Sequence, residues 1–113
     1  MKMYQHRSYV LALENAKNVS GMYVDENEKG LSFRNFDKYL LLGGGSHRTG
    51  KKGGCWHELE CFAQKHYPKS RIAYRWATQD CITLDSMPYI GKYSRNTPNL
   101  FVATGYNKWG FTS

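Results

Sequence analysis

Apolar positions in the first 42 residues fall into short runs separated by polar, turn-forming segments. Residues 8–14 and 19–24 are apolar-rich, residues 31–36 alternate apolar with polar side chains, and residues 38–42 are almost wholly apolar. Runs of this length, bounded by Asn, Asp and Gly, are typical of β-strands. The pattern therefore predicts four strands. The short turns between them favour antiparallel pairing, because a parallel connection needs a longer crossover.

The apolar period changes to a helical one between residues 55 and 67. Apolar side chains there recur every three to four positions, which predicts an amphipathic helix that ends before Pro68. The glycine-rich segment before it, residues 43–54, is predicted to be a loop. Two further apolar runs predict strands at residues 71–77 and 100–103.

This order of elements predicts an α+β fold, a mostly antiparallel β-sheet with one main amphipathic helix packed on one face. The length of 113 residues fits a single domain spanning residues 1–113. Hydrophobic residues make up 41% of the chain and charged residues 22%, so the composition suits a packed core rather than a disordered segment.

The formal net charge of +7 permits binding to an anion. The cations are scattered along the chain, however, which disfavours a nucleic-acid partner. The three cysteines form an odd set, which favours free thiols and a cytoplasmic location. No apolar run reaches the about 20 residues that span a bilayer, so no membrane span is predicted.

Two motifs suggest chemistry but lack an essential part. Residues 45–52 nearly match a phosphate-binding loop, yet Lys52 stands where a hydroxyl residue must hold magnesium. Cys55 and His57 have the spacing of half a metal site without a second pair, so no metal site is predicted. A small basic, non-catalytic module that binds an anionic ligand or nucleic acid stays open as the alternative to an enzyme.

The C-terminal third carries the most specific pattern. An apolar strand leads into a glycine-bracketed turn, residues 103–110, and such a turn lets backbone N–H groups approach a ligand. Upstream lie Trp76 and the segment TLDSMPYIG at residues 83–91. In their order and spacing, these pieces resemble the D-amino-acid oxidase and glycine oxidase type of FAD-dependent oxidoreductase. The segment YRWATQD at residues 74–80 is similar to a subgroup in which some members carry a C-terminal Rieske domain.

The resemblance implies that this chain is the substrate-binding domain of a larger enzyme. That enzyme would oxidise the C–N bond of an amine or amino acid by passing hydride to the flavin. A Rossmann domain, absent from this chain, would hold the ADP portion of FAD. We therefore expect the chain alone to bind FAD weakly and to be inactive.

The resemblance also implies a set of site residues, although none is assigned as a catalytic acid or base. The flavin would be approached by Gly105, Tyr106, Asn107, Lys108, Trp109, Gly110, Phe111 and Thr112. The substrate would be contacted by His47, Arg48, Tyr74, Trp76 and Asp80.

Asp80 departs from the family pattern, because oxidases of small amino acids place an arginine there to bind the substrate carboxylate. A carboxylate at this position suggests that the substrate is an amine or presents a cation. The alternative is that Asp80 forms an ion pair with Arg75 or Arg48.

Overall fold

The computed structural model describes residues 2–27 and 30–109, which contain seven strands and one helix. Their order along the chain is β1 (Met3–Glu14), β2 (Tyr23–Val24), β3 (Ser32–Phe36), β4 (Tyr39–Arg48), α1 (Cys55–His66), β5 (Arg71–Thr83), β6 (Tyr89–Lys92) and β7 (Phe101–Thr104). The sheet is mostly antiparallel, so the predicted α+β fold with one helix is confirmed. In the described part of the chain, no helix combines the length and apolar character that crossing a membrane requires.

The chain divides into two compact units, at the bonds between His6 and Arg7 and between Thr78 and Gln79. We call the part between these bonds the sheet–helix unit and the remainder the C-terminal unit. Five strands form a sheet in the order β2-β3-β4-β1-β5, and β6 pairs with β7 in a separate two-stranded sheet. The dividing bonds lie within β1 and β5.

The core of the sheet–helix unit lies between the sheet and α1. Alternate residues of a strand point to opposite faces, so β1 and β4 each send every second side chain toward the helix. The core cluster consists of Tyr9, Leu11, Leu13, Leu40, Leu42, Leu59 and Ala63. Its four strand leucines and Leu59 are at most 1% exposed. The helical period predicted from the sequence is therefore confirmed, with Leu59 and Ala63 on the buried side of α1.

The glycine-rich segment differs from its prediction. Residues 43–48 continue β4 and are not a loop, so the prediction was wrong there. Gly45 has φ of 64°, a left-handed conformation that glycine adopts without strain. A Cβ at Gly45 would lie 2.7 Å from the carbonyl oxygen of Cys55, so glycine also permits the close approach of the chain that enters α1.

Candidate functional site

The face of the five-stranded sheet that α1 does not cover carries aromatic and aliphatic side chains. We call this surface, within the sheet–helix unit, the open face. Its members come from alternate positions of β1, β3, β4 and β5: Val10, Ala12, Arg34, Phe36, Tyr39, Leu41, Tyr74 and Trp76.

Two hollows of about 340 Å³ each lie side by side on the open face. Ala12, Phe36, Tyr39 and Tyr74 line the first hollow only. Val10, Met22, Tyr23, Val24, Ser32, Phe33 and Gly43 line the second only. Arg34, Leu41 and Trp76 line both, so they form the ridge between the two. A volume of this size lies at the lower end of the range of small-molecule sites.

Aromatic rings dominate the first hollow. Tyr39 and Tyr74 meet edge to face, with ring centroids 5.7 Å apart and an interplanar angle of 77°. Partial burial raises the pKa of Tyr39, so this hydroxyl is a neutral hydrogen-bonding group at ordinary pH. Trp76 keeps 40% of its surface exposed, which leaves an indole available for contact with a ligand.

An ion-pair network involves Glu14 at the end of β1. The Glu14 carboxylate lies 3.4 Å from Lys38 Nζ and accepts hydrogen bonds from Arg71, whose Nε is 3.1 Å away. Hydrogen bonding to Arg71 holds the pKa of Glu14 below its ordinary value, and Lys38 acts in the same direction. The Glu14 carboxylate is therefore already paired with two cations, Lys38 and Arg71.

His47 lies on the helix-covered side of the sheet, away from the open face. Its Nε2 is 2.8 Å from the hydroxyl of Tyr9, and its ring stacks on the Tyr9 ring at 5.6 Å. Its Nδ1 is 3.0 Å from the carbonyl oxygen of Arg48, an atom that can only accept. Nδ1 must therefore donate, which leaves Nε2 to accept from Tyr9 when the imidazole is neutral. A hydrogen bond with Cys55, together with burial, raises the pKa of Tyr9 and favours the protonated hydroxyl this arrangement needs.

The residues expected to contact the substrate are thus distributed over the molecule. Tyr74 and Trp76 share the open face, whereas His47 does not, and Arg48 is an exposed residue at the end of β4. Asp80 is a half-buried residue of β5 in the C-terminal unit.

Arg75, one of the two suggested ion-pair partners of Asp80, has other contacts inside the sheet–helix unit. Its Nη1 lies 3.5 Å from the Glu60 carboxylate, and its guanidinium carbon lies 5.0 Å from the centroid of the Trp56 ring. Arg75 therefore packs against α1.

The expected flavin-facing turn begins with a tightly held glycine. Gly105 is buried with φ of 82°, and a Cβ there would lie 2.4 Å from Cγ2 of Thr83. The Asn107 N–H donates to the carbonyl of Cys81 at 3.3 Å, and the Trp109 N–H donates to that of Tyr106 at 3.0 Å. These contacts fix the path of the turn in the C-terminal unit.

Two side chains on this turn are exposed. Lys108 is exposed, and the Trp109 side chain keeps 64% of its surface exposed. Gly110, Phe111 and Thr112, also expected to approach the flavin, lie outside the described residues.

Sequence reasoning did not single out Arg34, Phe36 or Tyr39 as functional. The signal was present in the alternation of residues 31–36 and in the hairpin that follows. Pairing of β3 with β4 sets Arg34 opposite Leu41 and Phe36 opposite Tyr39, which puts these side chains on one face. An arginine in a strand of alternating apolar and polar residues is usually a solvated surface residue. The position of Arg34 between the two hollows was therefore not predicted.

Comparison with known proteins identifies the family. The family model described as FAD dependent oxidoreductase matches residues 1–113. The chain belongs to this FAD-dependent oxidoreductase family. The resemblance seen in the C-terminal third is thereby confirmed and extends over the whole chain.

A curated relative of this chain is the putative Rieske 2Fe-2S iron-sulfur protein YhfW of Bacillus subtilis (strain 168). The two are 38% identical over 120 residues, a match that covers 99% of this chain and 24% of the relative. The chain thus spans about a quarter of the length of the relative it matches.

The C-terminal turn carries groups of the kind that would hold the FAD the family name implies. Gly105 allows the turn to pack closely against Thr83, and the exposed cation of Lys108 suits a ligand with phosphates. The exposed indole of Trp109 offers a flat apolar surface. Among the described residues, no cluster of three or more His, Cys, Asp or Glu side chains could hold a metal ion.

Proposed function

We propose that this chain forms the substrate-binding part of an FAD-dependent oxidoreductase that oxidises the C–N bond of an amine or amino acid. The product would be an imine, which water hydrolyses. The open face carries this proposal, because it combines two hollows, four aromatic side chains and one guanidinium in a chain that matches the family throughout. Bound FAD would supply the acceptor of the hydride.

The residues of the open face would position the substrate. Tyr39, Tyr74 and Trp76 would contact its apolar part and exclude water from around the reacting carbon, which favours a fixed orientation. Residues 105–112 would approach the flavin through backbone atoms, and Gly105 lets the turn pack closely against Thr83. The neutral hydroxyl of Tyr39 is available for a hydrogen bond.

Asp80 would select for a cationic substrate group. Its carboxylate stands where oxidases of small amino acids carry an arginine, and it can attract an ammonium. Replacing Asp80 by Asn should weaken binding of amine substrates and leave flavin binding unchanged. Unaltered substrate KM in Asp80→Asn would contradict this role.

The whole protein, as we propose it, contains a Rossmann domain and a Rieske domain in addition to this chain. The name of the Bacillus subtilis relative supports the Rieske domain. The three cysteines of this chain are free thiols, which supports a cytoplasmic location.

A spectrum of the whole protein tests the proposal. The purified protein should show flavin absorption bands, and anaerobic addition of the correct amine or amino acid should bleach them. The 113-residue chain, purified in the same way, is the control and should carry little flavin. Absence of flavin bands from the whole protein, together with tight binding of nucleic acid, would instead favour the small basic binding module.

A further inference from the structure

The outer side of α1 carries a histidine and a cysteine one helical turn apart. His57 and Cys61 are separated by four positions, and residues at that spacing are neighbours on one side of a helix. Both side chains are exposed. Leu59 and Ala63, which pack into the core, lie on the opposite side of the same helix. The histidine and cysteine are therefore accessible from solvent.

The two side chains already approach each other closely. Sγ of Cys61 lies 3.6 Å from Nε2 of His57. In a tetrahedral zinc site the Zn–S distance is about 2.3 Å and the Zn–N distance about 2.0–2.1 Å, which separates the two ligand atoms by about 3.6 Å. The observed separation therefore equals the one that a shared zinc ion requires, and the ion can bind without movement of the helix backbone.

The chemistry of the two groups selects the kind of metal. Zinc is bound by thiolate sulfur and imidazole nitrogen, whereas magnesium and calcium prefer oxygen ligands. The sequence spacing paired His57 with Cys55, but the structure places His57 beside Cys61, while the Cys55 thiol donates to the carbonyl oxygen of Gly53 at 3.6 Å. Binding of zinc replaces the proton of the Cys61 thiol, which passes to solvent, and uses the neutral imidazole.

We propose that His57 and Cys61 bind one zinc ion on the outer side of α1, with water molecules completing the tetrahedral coordination. The site is a further binding function of the chain and does not depend on the proposed oxidoreductase activity. In the part of the chain that the structure describes, no three His, Cys, Asp or Glu side chains form a metal-binding group, so this chain supplies two ligands. Structural zinc sites have four protein ligands, so a zinc ion held by two should be exchangeable.

Alkylation of the whole protein with iodoacetamide, with and without zinc chloride, tests the proposal. Iodoacetamide reacts with the free thiolate, so zinc bound to the sulfur slows the reaction. Mass spectra of peptide fragments report each cysteine separately. We expect zinc to protect the exposed Cys61 and to leave the rates at the half-buried Cys55 and Cys81 unchanged. Magnesium chloride at the same concentration should protect none of them.

Three outcomes of this experiment would overturn the proposal. The first is an unchanged rate at Cys61 when zinc is added. The second is equal protection of Cys55 and Cys61, which would place the zinc ion elsewhere. The third is a lack of reaction at Cys61 with and without zinc, because the thiol would then be closed to solvent in the whole protein.

Calorimetric titration with zinc chloride shows whether both side chains are ligands. His57→Gln and Cys61→Ser each remove one ligand, and both positions are exposed, so neither change should unfold the protein. Loss of a residue that only supports a metal ligand typically costs about 10- to 100-fold in affinity, so loss of a ligand should cost at least about 10-fold. Zinc bound elsewhere in the whole protein persists in both variants and cancels in the comparison. An unchanged affinity in either variant would refute the assignment.

His66→Gln is the matched control, because it removes an exposed imidazole from the same helix. Nδ1 of His66 lies 3.2 Å from the carbonyl oxygen of Phe62, so this histidine has a different neighbour. The variant should keep the zinc affinity of the wild type, whereas a loss equal to that of His57→Gln would refute a site at the His57–Cys61 pair. The readout does not use flavin or turnover. A flavin-containing protein whose Cys61 zinc does not protect overturns this inference alone, and a protected Cys61 in a protein without flavin overturns the proposed function alone.

Discussion

The two faces of the five-stranded sheet come from the same strands and have opposite characters. On the helix-covered face, leucines of β1 and β4 lie fully buried against α1, and the polar groups of Tyr9 and His47 are bonded to each other. On the open face, Tyr74 is 61% exposed and Phe36 58% exposed, and Arg34 lacks a carboxylate partner among the described residues.

The difference shows how a single strand can serve both stability and binding. Because alternate side chains point to opposite faces, β4 contributes Leu42 to the core and Leu41 to the ridge between the hollows. Burial stabilises the first face through apolar area removed from water. Aromatic side chains left exposed on the second face contribute less to folding and remain available to a ligand.

The largest expected effect on stability comes from comparing two adjacent leucines of β4, one on each face of the sheet. Leu42 is 0% exposed in the core, so Leu42→Ala should lower the free energy of unfolding by about 2–5 kcal/mol through lost burial and a new cavity. Leu41 is half-buried on the open face, so Leu41→Ala should cost about 1 kcal/mol. Urea unfolding curves of both variants measure the difference. Equal losses would mean that the open face carries as much folding energy as the covered one.

The sequence predicted the covered face better than the open one. The spacing of Leu59 and Ala63 indicated the buried side of α1, because a helix against a core needs apolar residues at this period. The extension of β4 through Gly45 was missed, since glycine has no side chain whose alternation could be read. Its strand conformation depends on packing against the chain near Cys55.

For the candidate site, family resemblance drew attention to Tyr74 and Trp76, which do lie together on the open face. Their role in binding a substrate remains a prediction. The position of Arg34 between the two hollows was missed because only the assembled sheet forms these hollows. In a strand of alternating residues, nothing in the local sequence distinguishes a charged side chain that binds a ligand from one that is only solvated.

Removal of the Tyr9 hydroxyl is expected to change the free energy of unfolding by an intermediate amount. Tyr9→Phe leaves Nε2 of the half-buried His47 without its partner, so the free energy of unfolding should fall by about 0.5–1.5 kcal/mol, the net contribution of one hydrogen bond. Tyr74→Phe makes the same chemical change on the open face and should alter stability by less than about 0.5 kcal/mol.

Thermal unfolding of both tyrosine variants provides the measurement, and a third variant identifies the partner. If the Tyr9–His47 hydrogen bond is responsible, Tyr9→Phe should cost less in a His47→Ala background than in the wild-type protein. A cost that is the same in both backgrounds would place the effect elsewhere around Tyr9.

The ion-pair network of Glu14 should give the smallest effect, because Lys38 and Arg71 are well exposed and their charges are screened by solvent. The pKa of Glu14 is lowered in the folded state, so its contribution is full above the ordinary carboxyl value of about 4.3 and disappears as pH falls through the lowered value. Wild type should therefore exceed Glu14→Gln in unfolding midpoint near pH 7, and the two should converge as the pH falls through the lowered pKa of Glu14.

Salt separates this electrostatic contribution from packing. About 1 M salt shortens the screening length to about 3 Å, so it should reduce the difference between wild type and Glu14→Gln near neutral pH. A difference independent of both pH and salt would show that Glu14 acts through its aliphatic stem. Glu14 would then contribute to folding through the packing of β1 against its neighbours.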